Sequence, residues 1–334
     1  MDLHQGIVRG ALATPQQPQY HRCLFPVSGP LAMFSGSFVA LVTPMKDDGA
    51  LDFGCLERLV DWHMEQGTDG LVIAGTTGEA STLTKAEHVE VIRVAAHRAA
   101  GRIPVIAGTG SNSTAQTIDL SRTVGGLPVD GYLVVTPYYN KPTQEGLYRH
   151  FVAIADALEL PLILYNVPGR TGVDMQTATV ARLAAHPGII GIKEATGDLG
   201  RLQPLREACG EDFLLFSGDD ATGCEFMLQG GQGVISVTSN VAPALMADMC
   251  KAALKGNRTL ATELDGRLAG LHQELFVESN PIPVKWAVER LGLMPGGLRL
   301  PLTALSADCR PAVEAAMRRA GVLDQRPSLA EGAR

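Results

Sequence analysis

Lys193 ends the apolar run Ile189-Ile190-Gly191-Ile192-Lys193-Glu194, and that position gives it a route to nucleophilic chemistry. A short β-branched run between Pro187-Gly188 and Thr196-Gly197-Asp198 reads as a fully buried strand of a parallel sheet. Alternation along a strand puts Gly191 and Lys193 on one face and Ile190 and Ile192 on the other, so the lysine should overlie the gap left at Gly191. An amine in such an apolar gap loses hydration, its pKa falls, and neutral amine becomes available to condense with a carbonyl. The expected chemistry is a Schiff base. The strand alone leaves open a lysine that has simply reached solvent.

Other polar clusters end neighbouring apolar runs. Gly75-Thr76-Thr77-Gly78-Glu79 offers two hydroxyls and turn amides, a cradle for a small carboxylate. Tyr165, in Tyr165-Asn166-Val167-Pro168-Gly169-Arg170-Thr171-Gly172, can pass protons at an imine carbon; a second phenol from Thr136-Pro137-Tyr138-Tyr139-Asn140 can relay them to water. Arg170 can grip a second carboxylate with both arms of its guanidinium. Gly110-Ser111-Asn112 lacks the lysine and third glycine of a phosphate loop and reads as a tight turn.

These clusters need a scaffold that brings strand ends together. Candidate strands run over 38–43, 70–75, 104–108, 131–136, 161–166, 189–194, 213–217 and 233–237, with amphipathic helical patterns between them. Thr84-Lys85-Ala86-Glu87 and Ser113-Thr114-Ala115-Gln116 both fit the capping box at a helix start. Eight such units predict an α/β fold, a (β/α)8 TIM barrel over 33–257, with its chemistry at the C-terminal strand ends. A doubly wound sheet would want a Gly-rich loop after the first strand, where this chain has Thr43-Pro44-Met45.

A helical C-terminal region is expected over 258–323, then a frayed polar tail over 324–334. Residues 1–32, with Gln16-Gln17-Pro18-Gln19 and no regular period, read as a disordered or non-native extension upstream of Met33.

The composition fits this scaffold. A chain of 334 residues with 46% hydrophobic and 19% charged residues can bury a large core. A net charge of −7 without long like-charge blocks argues against nucleic-acid and anionic-membrane surfaces, and no apolar stretch is long enough for a membrane span. Six cysteines without a C-x-x-C pair suit reduced thiols in the cytoplasm, and the histidines show no zinc spacing, so no metal is expected.

The motifs GTTGE at 75–79, TPYYNKPTQEGLY at 136–148, YNVPGRTG at 165–172, IIGIKEATG at 189–197, SGDDA at 217–221, GGQGVISVTSN at 230–240 and NPIPVKWA at 280–287 occur together. In that combination the chain resembles the 4-hydroxy-tetrahydrodipicolinate synthase family of pyruvate-dependent class I aldolases, from about Met33 to Leu323.

The resemblance implies a lyase of the diaminopimelate and lysine pathway. It would join pyruvate to L-aspartate 4-semialdehyde with no cofactor beyond the imine on Lys193. It also implies that Tyr165 shuttles protons, that Thr77 links Tyr165 to Tyr139 of a neighbouring subunit, and that Thr76 and Thr77 hold the pyruvate carboxylate. Arg170 would receive the second substrate, and Gly218 and Ile235 would line the pocket through their backbones. A homotetramer follows by the same resemblance. The alternatives are another aldolase of this barrel, such as N-acetylneuraminate lyase or a 2-keto-3-deoxy sugar-acid aldolase, and a silent barrel kept as a binding protein.

A possible allosteric lysine site corresponds to Ala80, Ser81, Lys85, His88, Asn112, Gln116 and Tyr138. Lys85 and Gln116 stand where lysine-inhibited members carry a histidine and a glutamate, so weak or absent lysine feedback is expected.

Overall fold

The computed structural model describes residues 33–323 of the chain. The readings of 1–32 as an extension and of 324–334 as a frayed tail lie outside those residues. Eight parallel strands close on one another in sequence order: β1 (Gly36–Ala40), β2 (Gly70–Ile73), β3 (Val105–Gly108), β4 (Gly131–Val135), β5 (Leu162–Asn166), β6 (Ile189–Glu194), β7 (Leu214–Ser217) and β8 (Gly233–Ser236). Each lies within or nearly within its predicted run. β8 returns to β1, with Ile235 opposite Phe38.

The helices that follow the strands form the outer ring: α1 (Phe53–Glu65), α2 (Lys85–Ala99), α3 (Thr114–Val124), α4 (Gln144–Asp156), the short α5 (Pro168–Thr171), α6 (Thr177–Ala184), α7 (Leu202–Cys209), α8 (Asp220–Leu228) and α9 (Pro243–Leu254). The apolar runs read as continuous because both strand faces are buried. Val39, Leu71, Ile73, Val134, Leu164, Ile192 and Leu215 face the helices, while Phe38, Val72, Ile106, Leu133, Ile163, Phe216 and Ile235 fill the barrel. Each such side chain contributes about 1.5–3 kcal/mol by leaving water. Phe38 and Phe216 meet edge to face, their centroids 5.4 Å apart. They fit because Gly70 opposes Phe38: a Cβ there would lie 2.1 Å from the Phe38 ring.

Thr84 and Glu87 form the full reciprocal cap at the start of α2. The second predicted box forms only half. Ser113 accepts from the Gln116 amide at 3.4 Å, whereas Gln116 Oε1 accepts from the Ser111 hydroxyl at 3.1 Å, since the turn before α3 places Ser111 nearer.

Beyond the barrel come α10 (Arg258–Glu274), α11 (Ile282–Arg290) and α12 (Arg310–Arg319). α10 lies against α8, α9 and α12, so this region is continuous with the outer ring. Pro281 precedes α11 and Pro283 stands in its first turn, where the missing N–H costs nothing.

Candidate active site

Tyr165 and Lys193 sit opposite one another on β5 and β6. Lys193 is 5% exposed, and its Nζ lies 4.5 Å from the centroid of the Tyr165 ring. Burial lowers its pKa to about 8; Asp220 opposes the shift and Arg170 reinforces it. A substantial fraction of neutral amine therefore exists near neutrality. Burial likewise raises the Tyr165 phenol, while Arg170 and a hydrogen bond with the Thr76 hydroxyl pull it back. The phenol stays protonated and can hand a proton on.

The space around Lys193 differs from the simple alternation in two ways. A bulge between Leu162 and Ile163 pairs Leu162 with Ile189 and Ile163 with Gly191, so Ile190 is an extra residue and packs towards the barrel interior, not beside Ile192. The site at Gly191 is also filled: a Cβ there would meet the Leu214 side chain and carbonyl at 2.6 Å. The glycine that makes room for the lysine is Gly218 after β7, where a Cβ would lie 2.7 Å from Lys193 Cε.

The threonine turn leaves β2 through Ala74 at φ +54° and ends at Glu79 at φ +56°, both left-handed residues with side chains. Such a conformation persists only where surroundings enforce it. Glu79 forms a fully buried ion pair with Lys285 of α11, and Thr43 donates to the Gly78 carbonyl at 2.7 Å. Asn280 donates through Nδ2 to the Thr77 hydroxyl at 3.0 Å. Thus the two threonines divide their work: Thr76 meets the phenol, and buried Thr77 is held by the C-terminal region. Asn280, Lys285 and Arg299, which grips Glu87 with two nitrogens, received no role from sequence. The Asn-Pro-x-Pro-x-Lys spacing marks a helix start but carries no sign of what that helix touches.

A cavity of about 740 Å³ opens at this end of the barrel. Thr76, Tyr165 and Arg170 border it, and Arg170 leans on the Asn280 carbonyl at 3.4 Å. The Gly218 amide donates to the Glu194 carbonyl at 2.7 Å, and the Ile235 side chain is buried in the barrel interior.

Six of the seven positions of the possible lysine site border the same cavity: Ala80, Ser81, Lys85, His88, Gln116 and Tyr138. Asn112 contributes its carbonyl to Asn140 instead. Lys85 is paired with Asp119, and buried His88 bonds the Gly108 carbonyl. Tyr139 stands apart, 89% exposed at φ +70°.

The dihydrodipicolinate synthetase family model matches residues 33–320. The chain belongs to that family. In keeping with this membership, it is 62% identical over 291 residues to the 4-hydroxy-tetrahydrodipicolinate synthase of Methylococcus capsulatus, covering 87% of this chain and all of the relative. A crystal structure of the chloride-inhibited dihydrodipicolinate synthase of Acinetobacter baumannii complexed with pyruvate superposes with a TM-score of 0.85 at 53% identity, covering 86% of this chain and 99% of that one. The lysine-bound family enzyme of Cyanidioschyzon merolae gives 0.84 at 43% identity, covering 87% and 99%. Dihydrodipicolinate synthetase family enzymes are aldolase-type lyases, and a closed barrel with a buried lysine beside a phenol suits that chemistry.

Proposed function

We propose that this chain is a 4-hydroxy-tetrahydrodipicolinate synthase that joins pyruvate to L-aspartate 4-semialdehyde on Lys193. The buried amine, 4.5 Å from the Tyr165 ring and with a pKa near 8, is the observation that carries the reading. Neutral Lys193 attacks the keto carbon of pyruvate, and loss of water leaves an iminium. Tyr165 hands its proton to the departing hydroxyl as water leaves, and the phenolate so formed takes a proton from the methyl group that the positive nitrogen acidifies, leaving an enamine and a restored phenol. The enamine carbon bonds to the aldehyde carbon of the second substrate, whose oxygen takes the proton back. That substrate's own amine then replaces Lys193 at the former keto carbon, closing the ring of 4-hydroxy-2,3,4,5-tetrahydrodipicolinate.

Thr76 and Thr77 are assigned to the pyruvate carboxylate, Arg170 to the carboxylate of the semialdehyde, and the backbones of Gly218 and Ile235 to the pocket wall. Arg170 at the rim is suitably placed, since a guanidinium binds a carboxylate bidentately. We assign Tyr139 to the relay of a neighbouring subunit in a homotetramer. A phenol so exposed, on strained backbone, suits a contact outside its own chain. Among the described residues no helix is long and apolar enough to cross a membrane, and a cytoplasmic setting suits a biosynthetic lyase with free thiols.

Borohydride reduction with pyruvate, followed by peptide mapping, tests the chemistry. A pyruvate adduct on Lys193 is expected; an adduct elsewhere, or none, overturns the mechanism. Turnover with aspartate semialdehyde, compared with cleavage of sugar acids, tests the substrate.

A further inference from the structure

The ends of β5 and β6 carry a second set of polar groups, on the face turned away from Tyr165 and Lys193. Asn166 follows Tyr165 and Glu194 follows Lys193, so alternation directs both towards the helices, where they stand opposite one another and are buried. Asn166 Nδ2 donates to the two carboxylate oxygens of Glu194 at 3.3 and 3.2 Å and to Asp174 Oδ1 at 2.8 Å, while Asn166 Oδ1 accepts the Met175 amide at 3.0 Å. Arg201, just before α7, completes the cluster with three nitrogens. Its Nε reaches Glu194 at 3.1 Å, Nη1 reaches Asp174 at 2.9 Å and Nη2 reaches the Met175 carbonyl at 2.7 Å. The Thr196 amide adds a bond to Glu194 at 3.0 Å.

Two features show what this cluster fixes. The first is register. β5 and β6 shift past one another between Leu162 and Ile163, so the regular ladder that sets Tyr165 opposite Lys193 runs only from the Ile163–Gly191 pair to the Asn166–Glu194 pair. A slip of one residue would turn each side chain to the other face of the sheet. The bonds between Asn166 and Glu194 close that short ladder at its chemical end. The second is continuity: Asp174 and Met175 lie on the segment that leaves α5, which carries Arg170. Tyr165, Lys193 and Arg170 are thus each followed along the chain by a member of the same cluster. Apolar packing often stabilises a buried site as well as ions do, so the distinctive contribution of a saturated ionic network is a fixed geometry.

We propose that Asn166, Glu194 and Arg201 are positioning residues that hold Tyr165 and Lys193 at the spacing proton transfer requires, acting through the strands from the opposite face of the sheet. The proposal rests on Lys193 and Tyr165 having the roles assigned above.

Two measurements on one protein separate positioning from folding. The extent of borohydride trapping at saturating pyruvate reports imine on Lys193. Exchange of the pyruvate methyl hydrogens with heavy water, followed by NMR, reports proton transfer beside that imine. Arg201→Met releases Glu194, Asp174 and Met175 together; it should slow exchange about tenfold or more while the extent of trapping is kept. Arg201→Lys, which retains a charge to pair with Glu194, should recover part of the rate. Arg206→Met serves as the control. Arg206, on α7, bonds the Phe213 carbonyl and the Gln232 side chain, each at 2.9 Å, at the opposite ends of β7 and β8. Its variant should lose stability and keep the exchange rate.

Exchange at the unaltered rate in folded Arg201→Met, a fall in trapping as large as that in exchange, or an equal slowing in Arg206→Met overturns the proposal. Should Arg201→Met fail to fold, Asp174→Ala removes the half-exposed member that bonds both Asn166 and Arg201. Slower exchange at nearly unchanged thermal stability is then expected, and an unchanged rate overturns the proposal. Absence of both trapping and exchange in the unaltered protein instead overturns the chemistry assigned to Lys193, and the proposal with it.

Discussion

Glu79 and Lys285 are joined by an ion pair with both side chains wholly out of solvent, one at the end of the threonine turn and the other on α11. The pair ties the C-terminal helices to the loop carrying Thr76 and Thr77, and it holds Glu79 in a left-handed conformation. Lys285→Met leaves a buried carboxylate uncompensated and should cost about 3–5 kcal/mol. Glu79→Gln added to Lys285→Met should recover part of that loss. Urea unfolding of the two variants measures both effects, and equal stabilities would show that the pair does not hold the turn.

Gly218 governs the reach of Lys193. A methyl group at this position would stand 2.7 Å from Lys193 Cε and 2.6 Å from Ala195 Cβ, closer than real contacts allow. Gly218→Ala should keep the barrel folded while displacing the amine, cutting the rate of pyruvate trapping by about tenfold or more. Gly191→Ala is expected to act differently. Its Cβ would strike the Leu214 carbonyl, so its loss should appear first in stability. Thermal unfolding and trapping measured side by side separate the two.

On the proposed mechanism, removing the Tyr165 hydroxyl deletes the proton donor beside the imine. Tyr165→Phe should lower kcat by about 10²–10⁴-fold. Tyr139→Phe should impair turnover more than pyruvate binding, because the relay lies beyond the imine. Steady-state kinetics and pyruvate titration check each; an unchanged rate in Tyr139→Phe would remove that phenol from the relay.

Imine formation should rise with pH through about 8, the value to which burial lowers the Lys193 amine. The sign follows from the amine being nucleophilic only when neutral. The same shift bears on stability. Burying the ammonium is unfavourable below the folded pKa, and that penalty is relieved as pH rises from about 8 towards the ordinary lysine value of about 10.4. Trapping rates against pH, with unfolding measured over the same interval, test both. A flat trapping profile from about pH 6 to about pH 9 would contradict the assigned amine.

Free lysine should inhibit weakly or not at all. Gln116 offers an amide where a carboxylate would attract an ammonium, and Asp119, the acidic neighbour on α3, is already paired with Lys85. Half-inhibition at sub-millimolar lysine would refute this expectation, and an inhibition curve at fixed pyruvate decides it.

Much of this architecture could be read from local order. The eight apolar runs and the helical patterns between them marked the barrel, because a strand buried on both faces must be apolar throughout. Lys193, Tyr165, the adjacent Thr76 and Thr77, and Arg170 stood out as polar groups ending such runs. The support of Thr77 was different: adjacent hydroxyls look alike until the fold brings Asn280 to one of them. Gly191 was mistaken for the lysine's gap because alternation gives the direction of a side chain but not what the next strand has placed there. Leu214 occupies that space.

The chain by itself determined the strand and helix periods, the caps and the chemical types at the strand ends, since these depend on neighbours a few residues apart. Tertiary structure alone decided that Lys285 and Asn280 support the threonine turn and that Gly218 clears the way for Lys193. Those relationships join segments far apart in sequence. Burial and electrostatic pairing depend on distances in space, which become defined only when the barrel has closed.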